Sequence, residues 1–351
     1  MSPRGTDWSL ALLVALLVAT GLLTAFAGSP GSAWVFVLHG ALGAAIAIVL
    51  VWKSRRVWSR VVDPARWDGS TGFGLLAGAL VGAALVSGFV WSAGGDLHLA
   101  GFGLLNWHWA LGAVLGLIVL VHALLRAKRP RVRDLAGRRQ LFATAGVAVG
   151  AIAFWQLQRP VAGLFGLRGA KRRFTGSYEA DSFAGNTFPS TSWVADHPRE
   201  LAPDHRVTVG GMCARPVAVR ADRLDAGDEL VATLDCTGGF YSTQRWRGAR
   251  LGRLLDAAQP AAGAGRVRVV SYTGYRWDFP LAVARRLLLA THVGDERLSH
   301  DHGAPVRLVA PGRRGFQWVK WVERIELHAD PDAGAPAATV WSSFTARGSG
   351  S

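Results

Sequence analysis

The chain has 351 residues, half of them hydrophobic, and a formal net charge of +15 at pH 7. This length is enough for two domains, and two cysteines, Cys213 and Cys236, are too few for a disulfide framework or a cysteine-rich zinc site. Residues 1–173 carry 18 Lys and Arg against 5 Asp and Glu, whereas residues 174–351 carry 21 against 19. The positive charge belongs to the first half, so a nucleic-acid partner for the second half is disfavoured.

Five stretches of the first half contain no Asp, Glu, Lys or Arg and have about the 20 residues that cross a bilayer. They are residues 8–27, 34–52, 71–91, 104–125 and 140–158. We expect residues 1–158 to form an all-α membrane helical bundle of about five spans in contact with the lipid bilayer. The first stretch is predicted to be a retained span rather than a signal peptide, because its apolar core is too long and only Arg4 precedes it.

Basic residues predict the orientation of this bundle. They cluster in the segments after the second and fourth stretches, whereas the loops at 28–33 and 92–103 contain no Lys or Arg. By the positive-inside rule, the protein is a multi-pass cell-membrane protein with residues 159–351 on the extracytoplasmic side. The basic linker 159–173 opposes this orientation, since it contains Arg159, Arg168, Lys171, Arg172 and Arg173.

The fifth stretch begins with a pair of arginines. Arg138 and Arg139 precede Gln-Leu-Phe and a weakly hydrophobic run at 143–154. This pattern resembles a twin-arginine export signal placed inside the chain, which would export a folded, cofactor-loaded domain. The alternative is a basic flank on an ordinary helix.

Two of the apolar stretches repeat one another. Residues 38–44 (Leu-His-Gly-Ala-Leu-Gly-Ala) match residues 107–113 (Trp-His-Trp-Ala-Leu-Gly-Ala), which puts His39 and His108 at equal depths near the outer face. The same register places Lys53 opposite His122. His108 and His122 share one helix face, because 14 residues are close to four turns.

This arrangement resembles membrane cytochromes b, in which paired helices each offer a histidine to a haem. The resemblance implies that His39 and His108 bind the iron of a haem b that transfers electrons. The alternative for each is a hydrogen bond between helices. His122 is a weaker candidate, for which an inner haem, a quinone contact and simple packing all stay open.

The second half is predicted to be α+β, since strands and helices mix without regular βαβ alternation. Predicted strands cover residues 204–209, 217–221, 231–235, 267–272, 306–310 and 319–327, and a helix starts or lies within 281–289. Cys236 ends the third of these strands, and Leu251, Leu254 and Leu255 follow with helical spacing. On these residues alone, Cys236 is either a thiolate ligand of a soft metal or a structural cysteine, with a bridge to Cys213 possible.

Residues 236–239 (Cys-Thr-Gly-Gly), 244–248 (Gln-Arg-Trp-Arg-Gly) and 254–256 (Leu-Leu-Asp) resemble the molybdopterin-binding domain of the sulfite oxidase family. The chain is similar in particular to the catalytic subunit of the bacterial periplasmic methionine-sulfoxide reductase, fused here to a cytochrome b-like membrane domain. The resemblance implies that Cys236 ligates molybdenum. It covers a sulfite-oxidase-type domain at 174–328, before a low-complexity tail at 329–351.

A second resemblance to the same family lies at 300–312 and 315–322. It implies a pterin- and phosphate-binding set, to which a short match at 178–179 adds the first contact: Tyr178, Glu179, His302, Arg307, Trp318, Val319 and Lys320. Arginine and lysine suit a dianionic phosphate. The alternative for Arg307 and Lys320 is an ordinary charge on the face of a strand.

The resemblance implies an enzyme, a molybdopterin-dependent oxidoreductase that transfers an oxygen atom to or from a small sulfite- or sulfoxide-type substrate. Arg245 and Arg247 are candidate catalytic cations for an anionic substrate. Electrons would pass through the haem to or from quinone or another membrane carrier. The alternative is a non-catalytic haem-binding electron carrier or binding module that retains the molybdopterin fold.

Overall fold

A computed structural model of the chain describes residues 3–69, 71–95, 97–100, 102–126, 138–191, 198–202, 204–224 and 226–337. The chain divides into two units, Met1–Tyr178 and Glu179–Ser351. The first unit is helical and the second is built on two sheets.

Five long helices form the first unit, one for each predicted stretch. They are α1 (Pro3–Phe26), α2 (Ala33–Val61), α3 (Thr71–Ala93), α4 (Leu104–Arg126) and α5 (Arg138–Leu164), with a short hairpin of β1 (His98–Leu99) and β2 (Phe102–Gly103) before α4. Helix α2 continues nine residues beyond the predicted stretch, so Lys53, Arg55, Arg56 and Arg60 lie on a helix rather than in a loop. The second basic segment falls mostly on residues 127–137, outside the described residues.

Four regions of the first unit are long and apolar enough to cross a bilayer: α1, Pro30–Val61, α3 and Leu104–Val121 of α4. The fifth predicted span is not confirmed, because α5 is a 27-residue helix that does not meet this criterion within the described residues. Helix α5 is rich in alanine and glycine and contains Arg159 and Pro160, which lowers its mean hydropathy.

The apolar side chains of α1, α3 and α4 point mostly outward. In the 18-residue apolar segments of α1, α3 and α4, only 11%, 11% and 6% of the residues are buried. The corresponding fraction for the segment that contains α2 is 39%. Helix α2 is therefore the most buried of these four. It contacts α1 and α5 through a stripe of small residues, and a Cβ added to Gly40 would lie 2.2 Å from the ring of Trp155 on α5.

The predicted basic linker 159–173 begins within α5, and carbonyl groups of the first unit order its arginines. Arg159 donates hydrogen bonds to the carbonyl oxygens of Ala170 (3.0 Å) and Arg172 (3.1 Å), and Arg172 donates to that of Ser92 near the end of α3. Gly169 permits this approach, since a Cβ there would lie 2.2 Å from the Ser92 oxygen. Arg159 and Arg172 are thus hydrogen-bonded cations rather than free loop charges.

Two sheets form the second unit, after a short strand β3 (Tyr178–Glu179) at the boundary. One sheet contains β6 (Asp228–Asp235), β7 (Phe240–Arg250), β10 (Leu288–Val293), β11 (Glu296–Arg297) and β12 (Arg307–Val309). The other has the order β5 (Val217–Arg220), β4 (Arg206–Gly211), β13 (Val322–His328), β8 (Arg266–Ser271) and β9 (Arg276–Pro280). Strands β4 and β13 are parallel, whereas the pairs β4–β5, β6–β7, β7–β10, β8–β9 and β8–β13 are antiparallel.

Both sheets contribute to one hydrophobic core. Helix α6 (Leu251–Ala258) buries Leu251, Leu254 and Leu255 there, which is the face that the leucine spacing predicts. Each fully buried leucine contributes about 2 kcal/mol. The second unit is therefore a mixed sheet-and-helix domain, as the α+β prediction states.

The middle of this unit contains two further strands that were not predicted from the sequence. Residues 240–250 form the long strand β7, and the helix predicted to start or lie within 281–289 is the short α7 (Leu281–Ala284), followed by β10. Strand β10 pairs with β7 and β12, and its burial in the sheet outweighs the helix preference of its leucines and alanine. Gly248 allows this pairing, since a Cβ there would lie 1.9 Å from the Leu289 carbonyl oxygen.

Candidate cofactor sites

Cys236 lies directly after β6, on a tight turn that closes onto β7. Its amide donates to the Phe240 carbonyl oxygen (2.8 Å), and Gly239 completes the turn with φ +99°. The sulfur is 3.3 Å from the Gly238 amide nitrogen and 3.2 Å from Thr191 Oγ1, two groups that can donate to it. This environment suits a sulfur that carries negative charge.

The bridge between the two cysteines is excluded, because both thiols are free. Cys213 forms an isolated backbone bridge with Pro260 at another place in the unit. A structural disulfide therefore does not account for Cys236.

A buried ion pair fixes the turn that carries Cys236. Arg314 donates to the carboxylate of Asp235 and, at 3.3 Å, to the carbonyl oxygen of Cys236. The side chains of Arg314 and Asp235 are only 4% and 2% exposed. Gly315 packs against the same turn, where an added Cβ would lie 3.1 Å from Cys236 Cα. The sequence contained a signal for this support, an aspartate directly before the cysteine and the run Arg-Arg-Gly at 313–315, which the motif comparison left unused.

Arg307, on β12, is a fully buried cation in the same region. One guanidinium nitrogen donates to the His302 carbonyl oxygen (3.0 Å), and the group lies over the rings of Trp246 (5.0 Å) and Trp318 (5.8 Å). Its Nε is buried without a hydrogen-bond partner. Burial lowers the pKa of Arg307 to about 9, against the opposing effect of Cys236. Among the described residues, Arg307 forms no ion pair, so a nearby anion would be strongly stabilised.

The backbone carbonyl of His302 accepts a hydrogen bond from Arg307, and the imidazole ring of His302 contacts Phe188 and Ser299. Nε2 donates to the Phe188 carbonyl oxygen (2.8 Å), since a carbonyl can only accept, and Nδ1 lies 2.7 Å from Ser299 Oγ. Burial, with Arg307 and Lys320 nearby, lowers the pKa of His302 to about 4 although the Phe188 bond raises it. His302 is therefore neutral at pH 7.

Lys320 is linked to Cys236 through Thr191. Its Nζ donates to the Thr191 carbonyl oxygen (3.1 Å), to Ser190 Oγ (2.8 Å) and to the Asp301 carbonyl oxygen (2.6 Å). The Thr191 hydroxyl contacts the Cys236 sulfur. Thr191 is a site residue that the sequence comparison missed, because nothing in its local sequence distinguishes it.

Gly303 brings the two predicted phosphate-binding cations together. It has φ +105°, and an added Cβ would lie 3.0 Å from Lys320 Cβ and 3.1 Å from Arg307 Cβ. Trp318 is buried with its indole donating to the Arg313 carbonyl oxygen (3.2 Å), and the Val319 carbonyl accepts from the Leu308 amide (2.7 Å). The predicted set His302, Arg307, Trp318, Val319 and Lys320 thus converges near Cys236.

The predicted catalytic cations do not join this group. Arg245 and Arg247 alternate along β7 with the core-facing Gln244 and Trp246, and Arg245 lies 3.6 Å from Glu229. Arg245 pairs with Val231, five residues and therefore about 16 Å along β6 from Cys236. The geometry gives no support to a catalytic role for either arginine, because a strand sends alternate side chains to opposite faces.

Tyr178 and Glu179 are also engaged elsewhere. The Tyr178 hydroxyl donates to the Trp91 carbonyl oxygen within the first unit, and its ring packs on that of Trp91 at 5.1 Å. Glu179 accepts from the Ser182 amide (2.8 Å). These hydrogen bonds do not connect either residue to Arg307 or Cys236.

A pair of histidines forms a separate site in the first unit. The rings of His39 on α2 and His108 on α4 have centroids 6.1 Å apart and planes at 83°. Two imidazole–metal bonds of about 2 Å each, together with the ring radii, require centroids about 6 Å apart. The pair is therefore spaced for one metal ion between two imidazoles.

Hydrogen bonds fix the tautomer of both histidines. His108 Nδ1 lies 3.0 Å from the Ala84 carbonyl oxygen, and His39 Nδ1 lies 2.9 Å from Thr20 Oγ1, whose own hydrogen bond goes to Leu16 (2.7 Å). Both Nδ1 atoms therefore carry the proton, and each Nε2 keeps a lone pair that can bind a metal. For His122 the helix α4 is described but the side chain is not, and the side chains of Arg138 and Arg139 are likewise outside the described residues.

Known proteins resemble the part of the chain that contains Cys236. Residues 194–335 match the family model described as "Oxidoreductase molybdopterin binding domain". Mitochondrial sulfite oxidase of Mus musculus is 34% identical over 140 residues, which cover 36% of this chain and 25% of that protein. The NAD(P)H nitrate reductase of Betula pendula is 29% identical over 175 residues, which cover 38% of this chain and 19% of that protein.

Among solved structures, the sulfane dehydrogenase SoxCD from Paracoccus pantotrophus matches at 24% identity and a TM-score of 0.36, over 38% of this chain and 40% of that one. The second unit is thus a molybdopterin-binding oxidoreductase domain. Within that class, the domain is similar to those of the sulfite oxidase and nitrate reductase relatives. The alignments span about a quarter or less of the sulfite oxidase and nitrate reductase relatives.

The residues present fit this cofactor. A molybdenum cofactor needs a soft protein ligand for the metal and cations for its phosphate. The second unit supplies a buried cysteine with two nearby donors, a buried arginine with an orphaned Nε, and a lysine held beside it by Gly303. Within the described part of the chain, no group of three or more His, Cys, Asp or Glu side chains competes as a metal site.

Proposed function

We propose that the chain is a membrane-anchored molybdenum-cofactor oxidoreductase that transfers an oxygen atom to or from a small sulfite- or sulfoxide-type substrate. A b-type haem held by His39 and His108 would supply electron transfer to or from quinone or another membrane carrier. The observation that carries the proposal is Arg307, a buried cation beside Cys236 that lacks an acidic partner among the described residues. When bound, the molybdenum cofactor supplies the oxygen-atom and two-electron chemistry.

The residues of the second unit bind and orient this cofactor. Cys236 loses its proton and ligates the metal as a thiolate. Arg307 holds an anionic part of the cofactor with paired N–H donors, and Lys320 adds a second positive charge. His302 stays neutral and keeps Arg307 in place through its carbonyl group.

The haem half of the proposal is supported by the spacing and tautomers of His39 and His108. These two neutral imidazoles would hold the iron of a haem, which would supply electron-transfer chemistry. Four apolar helices, with α5 as a fifth span, anchor the chain in the cell membrane. The distribution of basic residues favours an extracytoplasmic second unit, and twin-arginine export of this unit is compatible with that topology.

Metal analysis of the purified full-length chain in detergent tests the molybdenum half. We expect about one molybdenum per chain, its loss in Cys236→Ser, and its retention in Cys213→Ser, which is the matched thiol control. An unchanged molybdenum content in Cys236→Ser would refute the ligand assignment.

Arg307→Met tests the observation that carries the proposal. The substitution removes a buried unpaired charge, so the cofactor-free protein should unfold at an equal or higher temperature. Cofactor affinity should nevertheless fall by about tenfold or more, because a charge-assisted contact contributes roughly 1.5–3 kcal/mol. Full molybdenum occupancy at limiting cofactor would contradict this role.

An anaerobic screen of candidate substrates, monitored by haem absorbance, tests which substrate reacts and whether its electrons reach or leave the haem. Sulfite should reduce the haem, or a sulfoxide should reoxidise it, in the wild type and not in Cys236→Ser. Haem absorbance that responds to none of sulfite, sulfoxides and N-oxides would favour the non-catalytic alternative. Loss of the haem spectrum is expected in His39→Ala and in His108→Ala.

A further inference from the structure

The first unit contains a second repeated motif besides the histidine repeat. Thr20-Gly21 on α1 stands 19 residues before His39, and Ser87-Gly88 on α3 stands 21 residues before His108. In each case a small hydroxyl residue on one helix contacts the histidine of the next helix. The bundle thus holds two copies of a two-helix element, each with a hydroxyl, a glycine and a histidine.

Each hydroxyl meets the Nδ1 atom of its histidine. Thr20 Oγ1 lies 2.9 Å from His39 Nδ1, and Ser87 Oγ lies 3.2 Å from His108 Nδ1. The hydroxyl protons have other acceptors, since Thr20 donates to Leu16 (2.7 Å) and Ser87 donates to Ala84 (3.0 Å). Both oxygens are thus left to accept from an Nδ1–H group.

The glycines bring the helix backbone against the imidazole rings. A Cβ added to Gly21 would lie 3.5 Å from His39 Cε1, and one added to Gly88 would lie 3.0 Å from His108 Cε1. The close approach limits rotation of each ring, most tightly at His108. A hydrogen bond and close van der Waals contact with the helix backbone together therefore set the orientation of each ring.

We infer that Thr20 and Ser87 are positioning residues, which hold His39 and His108 in the Nδ1–H tautomer with Nε2 directed to a haem iron. This inference rests on the haem half of the proposed function. A hydrogen bond from Nδ1–H strengthens the donation of an imidazole to its metal. Each ring also has a backbone carbonyl as an acceptor, that of Leu17 for His39 and that of Ala84 for His108.

Thr20→Val keeps the shape of the side chain and removes the acceptor. The matched control is Thr24→Val, one turn further along α1, where the hydroxyl donates to the Gly21 carbonyl oxygen of the same helix (2.6 Å). In full-length protein we expect haem affinity to fall about tenfold in Thr20→Val and the midpoint potential to become more positive. Thr20→Ser should restore both values.

The inference is overturned if Thr20→Val binds haem with the affinity and potential of Thr24→Val. A readout without haem separates this outcome from failure of the haem proposal. In haem-free protein labelled with ¹⁵N-histidine, NMR should report the Nδ1–H tautomer for His39, and Thr20→Val should shift its population toward Nε2–H. Wild-type protein that binds no haem would refute the haem proposal, whereas an unshifted tautomer population in Thr20→Val would refute the inference by itself.

Discussion

The two candidate sites position their metal-binding side chains by different physical means. In the second unit, a buried ion pair fixes the Cys236 turn and the buried cation Arg307 lies close by. In the first unit, neutral hydroxyl and carbonyl groups hold His39 and His108. A buried charge is tolerated where a counter-charge or an anionic cofactor is available, whereas a charge in a bilayer costs several kcal/mol. The medium around each site therefore decides which groups can position a ligand.

Removal of one member of the buried ion pair should have the largest effect on stability. Arg314→Met removes the cation from the buried ion pair and leaves the Asp235 carboxylate buried, which costs about 3–5 kcal/mol. Hydrogen exchange of the full-length protein should show this loss in amides of the second unit. Arg324→Met is the control, because the ion pairs of Arg324 are partly exposed and contribute about 0–1 kcal/mol. Equal exchange in the two variants would contradict the role assigned to Arg314.

Acid should destabilise the second unit through His302. Its folded-state pKa of about 4 is below the ordinary value of 6.5, so the unfolded chain binds the proton first as pH falls. Stability should therefore decrease between about pH 6.5 and 4, by at most about 3 kcal/mol from this residue. Cofactor-free His302→Gln should lose that part of the pH dependence. A slope equal to that of the wild type would contradict the prediction.

In the helical unit, close packing between helices contributes to stability. Two glycines of α2, Gly40 and Gly43, test this contribution. Gly40→Ala would place a methyl group 2.2 Å from the Trp155 ring, whereas Gly43→Ala meets nothing within 4 Å. We expect Gly40→Ala to cost about 1–3 kcal/mol. Thermal unfolding in detergent measures the difference. Gly43→Ala should be neutral or slightly stabilising, since alanine favours a helix.

The smallest effect is expected on the outer face of β7. Arg245→Gln removes an exposed side chain that lies 3.6 Å from Glu229, so stability should change by less than about 1 kcal/mol. Molybdenum content and turnover should stay at the wild-type values, because Arg245 lies about 16 Å along the sheet from Cys236. A large loss of turnover would restore the catalytic role that the sequence suggested.

Local patterns in the sequence predicted much of this molecule. Apolar runs predicted the five helices, the repeated His-x-Ala-Leu-Gly-type segments predicted that His39 and His108 are neighbours, and the leucine spacing predicted α6. The cysteine motif predicted the molybdopterin-binding domain. These features depend on residues close together in the chain, so the sequence contains them directly.

The remaining features depend on residues far apart in the chain. Thr191 reaches Cys236 across 45 residues, Arg314 reaches Asp235 across 79, and Thr20 reaches His39 from another helix. Arg245 and Arg247 lie away from Cys236 because residues 240–250 form a strand, whose register with β6 places these arginines far along the sheet. That strand depends on pairing with β6 and β10, which are distant in the sequence. By itself, the sequence determined which residues can serve as ligands. Only the tertiary structure decided which groups hold those ligands in place, because hydrogen bonds and buried charges are set by neighbours in space.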